Sequence, residues 1–304
     1  MIDGIRIGWN ITPKFPREVA AQAARVSAAG TVVSVWTNQL PGSWDALSVL
    51  GGIGPGPAEV GTAVLPTYPR HPVVMATEAL TVQALIGGRL TLGVGPSHAW
   101  YISNQLGIPY TAPAQHTREY LEVLRPLLRG EHVRHDGKFY TVDTQLQTAS
   151  NPEGELAAPP PVLLSALGPR MLEVARDLAD GTITVWIRPE TVASYLLPRL
   201  GAGARVVVLA MVAVTSEPDA VRETVAREFA VVESMPAYRA MLDRGGLAGP
   251  ADAVIAGAED DVLAELARFR DAGATDLIVS SIGPPEARAR TLELVTAVNP
   301  ISVA

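Results

Sequence analysis

Two loops in the sequence place glycine, proline and a polar or basic side chain at points where a helix is predicted to begin. Residues 95–98 (Gly-Pro-Ser-His) follow one apolar run, and residues 168–170 (Gly-Pro-Arg) follow another. Glycine lets a ligand approach the backbone, and proline is preset for the first turn of a helix. The free amides and the dipole of such a helix start attract an anion. Turn geometry explains the same glycines equally well, so the pattern leaves both interpretations open.

The five histidines are the side chains best suited to exchange protons near neutral pH. His98 and His71 lie in predicted loops at strand ends, where contact with a ligand and a purely structural role are both open. His132 and His135 flank an arginine on a predicted hairpin and are interpreted as solvent-facing. His116 precedes a predicted helix and is interpreted as a surface residue. Proton chemistry is therefore expected at His98 or His71 before the others.

Motifs that would indicate other chemistries are missing from the sequence. It contains no cysteine, which excludes disulfide scaffolds, thiolate metal sites and cysteine nucleophiles. It has no P-loop, no Gly-x-Ser-x-Gly elbow and no His-Glu-x-x-His motif, and we expect no metal site. The net charge of −7 comes without any basic run, so we expect no nucleic-acid partner.

Eight apolar runs, separated by amphipathic stretches, are the elements that must position these loops. They cover residues 5–9, 32–36, 60–65, 90–94, 162–166, 182–186, 206–214 and 277–280. Runs that are apolar throughout are typical of parallel strands buried on both faces, and eight such strands close a TIM barrel. An open Rossmann sheet is the competing architecture, but no Gly-x-Gly-x-x-Gly follows the first run. We therefore predict an α/β fold, a TIM (β/α)8 barrel, with its site where the strands end.

The stretch between the fourth and fifth predicted strands is longer than a minimal barrel needs. Residues 117–128 predict a helix, and residues 132–142 predict a β-hairpin with Asp-Gly at its turn. We interpret this helix plus hairpin as an insertion into a single domain of residues 1–304. Neither a secretory signal nor an apolar run near the roughly 20 residues of a membrane helix is present, which predicts a cytoplasmic protein with no membrane partner.

An ordered series of motifs along nearly the whole chain resembles the bacterial luciferase-like superfamily. The motifs are residues 61–66, 70–72, 88–95, 118–121, 137–140, 166–171, 179–181 and 271–276. Each motif is common by itself, but their order is specific. Within the superfamily the chain is most similar to actinobacterial oxidoreductases that use the deazaflavin coenzyme F420. These are relatives of methylenetetrahydromethanopterin reductase and of F420-dependent glucose-6-phosphate dehydrogenase.

The resemblance implies a TIM barrel, a homodimer, and F420 lying across the barrel mouth, with FMN as the alternative cofactor. It also implies a non-prolyl cis peptide between Ala63 and Val64 that supports the ring from behind. The cofactor's phosphate and tail are expected at two loops, whose residues are Gly95, Pro96, Ser97, Ala166, Leu167, Gly168 and Pro169. Such enzymes transfer a hydride between the deazaflavin and a carbon of a small-molecule substrate.

The sequence departs from the sugar-phosphate dehydrogenases at the end of the second strand, where those enzymes carry an Asp-His pair. Residues 35–39 are Val-Trp-Thr-Asn-Gln, and the glutamate of the family's fourth loop aligns roughly with His98. We therefore expect reduction of a C=C or C=N bond rather than oxidation of an alcohol. His98 is predicted as the proton donor, with a pKa lowered by a nearby helix start. Asn38 and Trp36 are predicted to position the substrate, although packing of Trp36 in the barrel is an alternative.

Three classes of function remain open from the sequence. The first is an F420-dependent reductase or dehydrogenase, for which we predict tighter binding of F420 than of FMN. The second is an FMN-dependent monooxygenase of the same fold, and the third is a flavin-binding protein without turnover. The fold alone does not separate them, because function belongs to sites.

Overall fold

The computed structural model describes residues 4–12, 15–28, 30–147 and 158–297. Its strands, in chain order, are β1 (Arg6–Asn10), β2 (Ser34–Thr37), β3 (Glu59–Thr62), β4 (Leu65–Pro66), β5 (Leu90–Gly95), β6 (Val133–Asp136), β7 (Thr141–Thr144), β8 (Val162–Ser165), β9 (Gly181–Val185), β10 (Arg205–Val214), β11 (Ile255–Gly257) and β12 (Asp276–Ser281). The predicted single domain extends beyond the described residues at both ends, and it stays a prediction.

Many of the helices have a proline in their first turn. The missing N–H of proline costs no hydrogen bond there, because the first amides of a helix have no partner within the helix. They are α1 (Pro16–Ser27), α2 (Ala46–Gly51), α3 (Pro72–Leu85), α4 (Pro113–Leu128), α5 (Pro169–Leu178), α6 (Pro189–Thr191), α7 (Leu197–Leu200), α8 (Pro218–Glu228), α9 (Pro236–Arg244), α10 (Glu259–Asp271) and α11 (Pro285–Ala297). Short π-helical turns cover Trp100–Gln105 and Val192–Leu196, and 3-10 turns cover Ala230–Ser234 and Pro250–Ala253. Within the described residues, no helix has the length and hydropathy to cross a membrane.

Eight parallel strands close into a barrel in the order β1, β2, β3, β5, β8, β9, β10, β12 and back to β1. Short strands β4 and β11 extend this sheet beside β5 and β10. The predicted TIM barrel is confirmed. Because all eight strands run in the same direction, their carboxyl ends meet at one mouth, where the loops that follow them come together.

Trp36 fills part of the inside of the barrel and is fully buried. Its Nε1 donates to Ser34 Oγ at 2.8 Å. The ring lies over Gly8 and Gly61, where an added Cβ would come within 2.8 Å and 2.2 Å of ring atoms. Glycine at these two positions therefore makes room for the indole. Trp36 packs the barrel core, which is the alternative we left open, and it does not reach the mouth.

The amino-terminal end of the barrel is closed by an ion cluster around Arg205, on β10. The Arg205 guanidinium contacts Asp276 and Glu59 at 2.9 Å and 2.8 Å, and Arg6 also pairs with Glu59. Burial acts to lower the pKa of Arg205, but the two carboxylates outweigh it and raise that pKa. Burial acts to raise the pKa of Glu59, yet hydrogen bonds and charge from Arg205 hold it below its usual value. This cluster lies at the end of the barrel opposite the mouth.

The long connection between β5 and β8 contains α4 and an antiparallel hairpin of β6 and β7. Helix α4 packs between α3 and α5, so it takes the place of the barrel's fourth outer helix. Among the described residues of this connection, the only part that a minimal barrel lacks is the hairpin with its loops. Our interpretation of the helix as part of the insertion is therefore corrected. The hairpin turn is closed by the Gly137 amide, which donates to the Tyr140 carbonyl at 2.9 Å.

His116 lies inside the first turns of α4 and is only 4% exposed. Its ring stacks on Tyr68 with centroids 3.7 Å apart, and its Nε2 is 2.8 Å from the Tyr140 hydroxyl. Burial lowers the pKa of His116 to about 4, so the imidazole is neutral at pH 7. The interpretation of His116 as a surface residue was wrong because α4 begins at Pro113, earlier than the sequence indicated, and this turns His116 toward the hairpin.

Candidate functional site

Two adjoining cavities occupy the mouth of the barrel. The first, which we call the chamber, has a volume of about 330 Å³, and the second, which we call the groove, about 600 Å³. They share part of their walls, namely Val64, Gly95, Ser97, His98, Ser165 and Tyr238. The chamber continues toward β9, β10 and the segment between α8 and α9, whereas the groove continues toward α4 and the start of α5.

The third strand of the barrel bulges where it reaches these cavities. The peptide between Ala63 and Val64 is cis, as predicted, and it separates β3 from β4. The Thr62 hydroxyl donates to the Gly93 carbonyl and accepts from the Gly93 amide, each at 2.8 Å. Thr62 thus satisfies the β5 backbone at the point where the ladder is interrupted. Both Ala63 and Val64 line the chamber, so this bulge forms one of its walls.

Only glycine fits in β5 beside this bulge. A Cβ on Gly93 would lie 1.9 Å from the Thr62 carbonyl oxygen. A Cβ on Gly95 would lie 2.9 Å from the Ser165 Cβ and 3.1 Å from a methyl of Val64. Gly95 is buried, and it lines the shared part of the two cavities.

The groove ends at the start of α5, beside the second glycine-proline loop. Leu167, Gly168, Pro169 and Arg170 line it, and a Cβ on Gly168 would meet no atom within 4 Å. The Tyr195 hydroxyl donates to the Leu167 carbonyl at 3.1 Å and holds the loop in place. The first amides of α5 lack partners within the helix, and Arg170 adds a positive charge, so this end of the groove suits an anion.

Ala166, which we predicted to bind the cofactor, is fully buried and lines neither cavity. It follows the last residue of β8, and its methyl packs in the main hydrophobic core. The adjacent loop residues face the groove instead.

The first glycine-proline loop does not lead into a long helix. A six-residue π-helical turn, Trp100–Gln105, follows it, and α4 begins only at Pro113. The predicted anion site at the helix start after Gly95 is therefore corrected. The loop contributes instead through Ser97, whose φ of 62° is left-handed, and through Pro96, which lines the groove. The Tyr110 hydroxyl donates to the Ser97 carbonyl at 3.1 Å and fixes this conformation.

His98 is half-buried in the wall between the two cavities. Its ring faces Tyr238 with centroids 5.1 Å apart. Burial lowers the pKa of His98, so the imidazole is neutral at pH 7. The direction matches our prediction, but its cause is burial and not a helix start. His71, the other candidate, caps α3 by accepting from the Val73 amide at 3.3 Å, and it lines neither cavity.

Asn38 follows β2 and lines the chamber, as its predicted role requires. Its Oδ1 is buried and has no hydrogen-bond partner within the described part of the chain. The next residue, Gln39, accepts from the Ala46 amide at 2.9 Å, which ties this loop to α2. A buried amide oxygen without a partner in a cavity wall is suited to a polar group of a ligand.

Several chamber residues were missed by the sequence reasoning. Trp186 follows β9 with a left-handed φ of 60°, and its ring contacts Phe229 with centroids 5.1 Å apart. Met235 and Tyr238 come from the segment after α8. Apolar residues at helical spacing are ordinarily core residues, so the sequence carried no signal for these. Their aromatic and thioether groups make one side of the chamber polarizable and apolar.

No group of side chains able to hold a metal ion occurs in the described ranges. The described part of the site offers a mostly apolar chamber, a backbone bulge behind it, one neutral imidazole and a helix start with a nearby arginine at the end of the groove. This described part also offers two buried oxygens without partners, at Asn38 and Thr184.

The chain matches the family model of the luciferase-like monooxygenases over residues 9–298. A Mycobacterium tuberculosis protein named as a coenzyme F420-dependent oxidoreductase is 30% identical over 63% of this chain and 57% of its own length. The F420-dependent glucose-6-phosphate dehydrogenase of Microbacterium testaceum is 33% identical over 52% of this chain and 48% of its length. The match thus spans little more than half of the first relative and less than half of the second.

Among solved structures, the F420-dependent tetrahydromethanopterin reductase of Methanopyrus kandleri has the same fold. It superposes with a TM-score of 0.78 at 21% identity, covering 96% of this chain and 97% of the other. The barrel fold is the one expected from the family that matches nearly the whole chain. The protein is an enzyme of the luciferase-like monooxygenase family.

Proposed function

We propose that this enzyme uses coenzyme F420 to transfer a hydride to a small organic substrate and thereby reduces a C=C or C=N bond. The observation that carries the proposal is the groove, which joins a glycine-lined bulge to the anion-binding start of α5. A cofactor with a flat ring and a phosphorylated tail needs both features in one continuous cavity. The relatives named as F420-dependent support the same cofactor.

The residues present fit this cofactor. Ala63, Val64 and Gly95 offer backbone and small side chains to the face of a ring, and the unpaired Asn38 Oδ1 offers an acceptor at the chamber side. Residues 167–170 would hold the phosphate and tail. When bound, the deazaflavin supplies the hydride, while the chain orients the substrate and manages the accompanying proton.

His98 is the proton-handling residue of this proposal. Reduction of a C=N bond places the hydride on carbon and a proton on nitrogen. The ring N–H of His98 can hydrogen-bond to that nitrogen, and the imidazolium form can donate the proton. Because burial lowers the pKa of His98, the donating form grows as the pH falls below neutral. Reduction by this enzyme is therefore expected to be faster at mildly acidic than at alkaline pH.

Alcohol oxidation is less well supported by the residues at the mouth. Removal of a hydroxyl proton needs a base, and the neutral His98 could accept that proton. None of the described residues that line the chamber is an aspartate or glutamate, so no carboxylate there orients His98 or stabilises its imidazolium. Residues 38 and 39, at the end of β2, are an asparagine and a glutamine. These amides position polar groups without accepting a proton at neutral pH.

Calorimetric titration of the purified apoprotein with F420 and with FMN tests the proposal. We expect tighter binding of F420, and a clear preference for FMN would contradict it. Arg170→Ala should weaken F420 binding by about tenfold, because one charge-assisted contact to phosphate is lost. Arg176→Ala is the matched control, since Arg176 lies on the same helix but pairs with Asp177 outside both cavities.

The second candidate is an FMN-dependent monooxygenase, favoured by the description of the matching family itself. It predicts oxygen consumption when the protein is supplied with chemically reduced FMN and substrate. Binding of either cofactor without any reaction would instead indicate a flavin-binding protein. The homodimer implied by the family resemblance also stays a proposal, which sedimentation analysis of the purified protein checks.

A further inference from the structure

The chamber wall carries no formal charge. Among the described residues that line it, none is aspartate, glutamate, lysine or arginine. Its titratable side chains are His98 and Tyr238. Burial lowers the pKa of His98 and raises the pKa of Tyr238 to about 12, so both are neutral at pH 7. The groove does carry a formal charge, because Arg170 lies at its far end.

The deeper wall of the chamber is mostly apolar, and its Thr184 has a buried hydroxyl without a hydrogen-bond partner among the described residues. Leu209 and Met211 of β10 line this wall. Trp186 and Phe229 contact each other beside them, and Met235 adds a thioether. Apart from Thr184, only the Trp186 indole N–H among these side chains can donate a hydrogen bond, and none of them carries a charge that could neutralise an anion. An anion placed against them would lose most of its hydration with little compensation.

The rim of the chamber is apolar as well. Three large hydrophobic side chains, Leu40, Trp100 and Val231, line it and are 43%, 36% and 55% exposed. They come from three separate segments, after β2, after β5 and after α8. Exposed apolar groups that converge on one opening indicate a binding surface rather than chance exposure.

We propose that the chamber selects an uncharged, largely apolar substrate with a single polar group directed to Asn38 and His98. This inference rests on the proposed function, because it describes the substrate side of the same site. It excludes phosphorylated sugars and carboxylates as substrates, in spite of the sugar-phosphate dehydrogenase among the relatives. The buried Asn38 Oδ1 is the place for a donor on the substrate, and the His98 ring N–H is the place for an acceptor.

Two probes of equal size and different charge test this selectivity. 2-Acetylnaphthalene is neutral with one carbonyl, and 2-naphthoate carries a carboxylate on the same ring system. Binding to the purified protein is measured by calorimetry without cofactor, so the result does not depend on which cofactor the enzyme uses. We expect the neutral probe to bind more than about tenfold more tightly. Equal or tighter binding of 2-naphthoate or of glucose 6-phosphate, or no binding of the neutral probe at millimolar concentration, overturns the proposal.

Two variants locate the binding. Met211→Lys should abolish the preference for the neutral probe or reverse it, because it places a cation in the deeper wall. Since that substitution can impair folding, Val231→Lys at the exposed rim provides a second variant and should weaken binding of the neutral probe several-fold. Leu85→Lys is the control, because Leu85 is 68% exposed and lies outside the chamber. An unchanged preference in both chamber variants would show that the probes bind elsewhere and would contradict the proposal.

Discussion

His98 is the residue on which the proposed chemistry depends most. It stands in the shared wall of the chamber and the groove, half-buried and neutral, with its ring against Tyr238. The other four histidines have different surroundings. His71 caps a helix and His116 is stacked in a tyrosine cluster, so neither is placed to meet a substrate.

His98→Gln should lower turnover by about 10²–10⁴ while F420 affinity stays nearly unchanged. Glutamine keeps a hydrogen bond but cannot deliver a proton at a useful pKa. Steady-state kinetics over a range of pH would also show the acid-side rise of the wild-type rate disappear in the variant. His71→Gln is the matched control, and its turnover should equal that of the wild type. Full activity of His98→Gln would remove His98 from the mechanism and leave water as the proton donor.

Among the secondary-structure elements, the bulge between β3 and β4 places main-chain atoms in the wall of the chamber. It exists because Thr62 satisfies the Gly93 backbone and because residue 93 has no side chain. Gly93→Ala should therefore destabilise the protein by about 3 kcal/mol or more, since the new methyl has no space against the Thr62 carbonyl. Urea unfolding measures this. Gly168→Ala is the control, because a Cβ there meets nothing, and a similar loss in both variants would contradict the argument.

The ion cluster at the amino-terminal end of the barrel connects β3, β10 and β12. Because the pKa of Glu59 lies below its usual value in the folded state, its contribution to stability is present above about pH 4.5 and is lost as the pH falls further. Glu59→Gln should lower the free energy of unfolding at pH 7 by about 3 kcal/mol and flatten its dependence on pH in the acid range. Urea unfolding at pH 7 and pH 4 checks both effects.

Glu131→Gln serves as the control for that measurement, because Glu131 pairs with Arg129 at the surface. We expect wild-type stability at both pH values for this variant. If Glu59→Gln behaves in the same way, the cluster does not stabilise the barrel as described.

At the scale of the whole molecule, the sequence predicted the barrel and its mouth well, and individual side chains less well. Apolar runs determine where strands lie, and the order of motifs indicates the superfamily, so the Ala63–Val64 cis peptide was found. The cofactor role of the loop at Gly168 stays a prediction. The sequence does not say how far along the barrel axis an inward side chain reaches, and Trp36 was therefore placed at the mouth instead of the core. Met235 and Tyr238 reach the site from a segment that only tertiary packing brings over the mouth.

The proposed reaction in this barrel is the transfer of a hydride from F420 to a carbon of the substrate. The most direct measurement supplies the enzyme, without oxygen, with reduced F420 carrying deuterium at the transferable position and with a neutral apolar enone or imine. Mass spectrometry of the product then shows whether deuterium has been transferred. We predict one deuterium on the reduced carbon of the product and oxidised F420 in equal amount. No transfer from F420, together with oxygen-dependent conversion of the same compound in the presence of reduced FMN, would contradict the account.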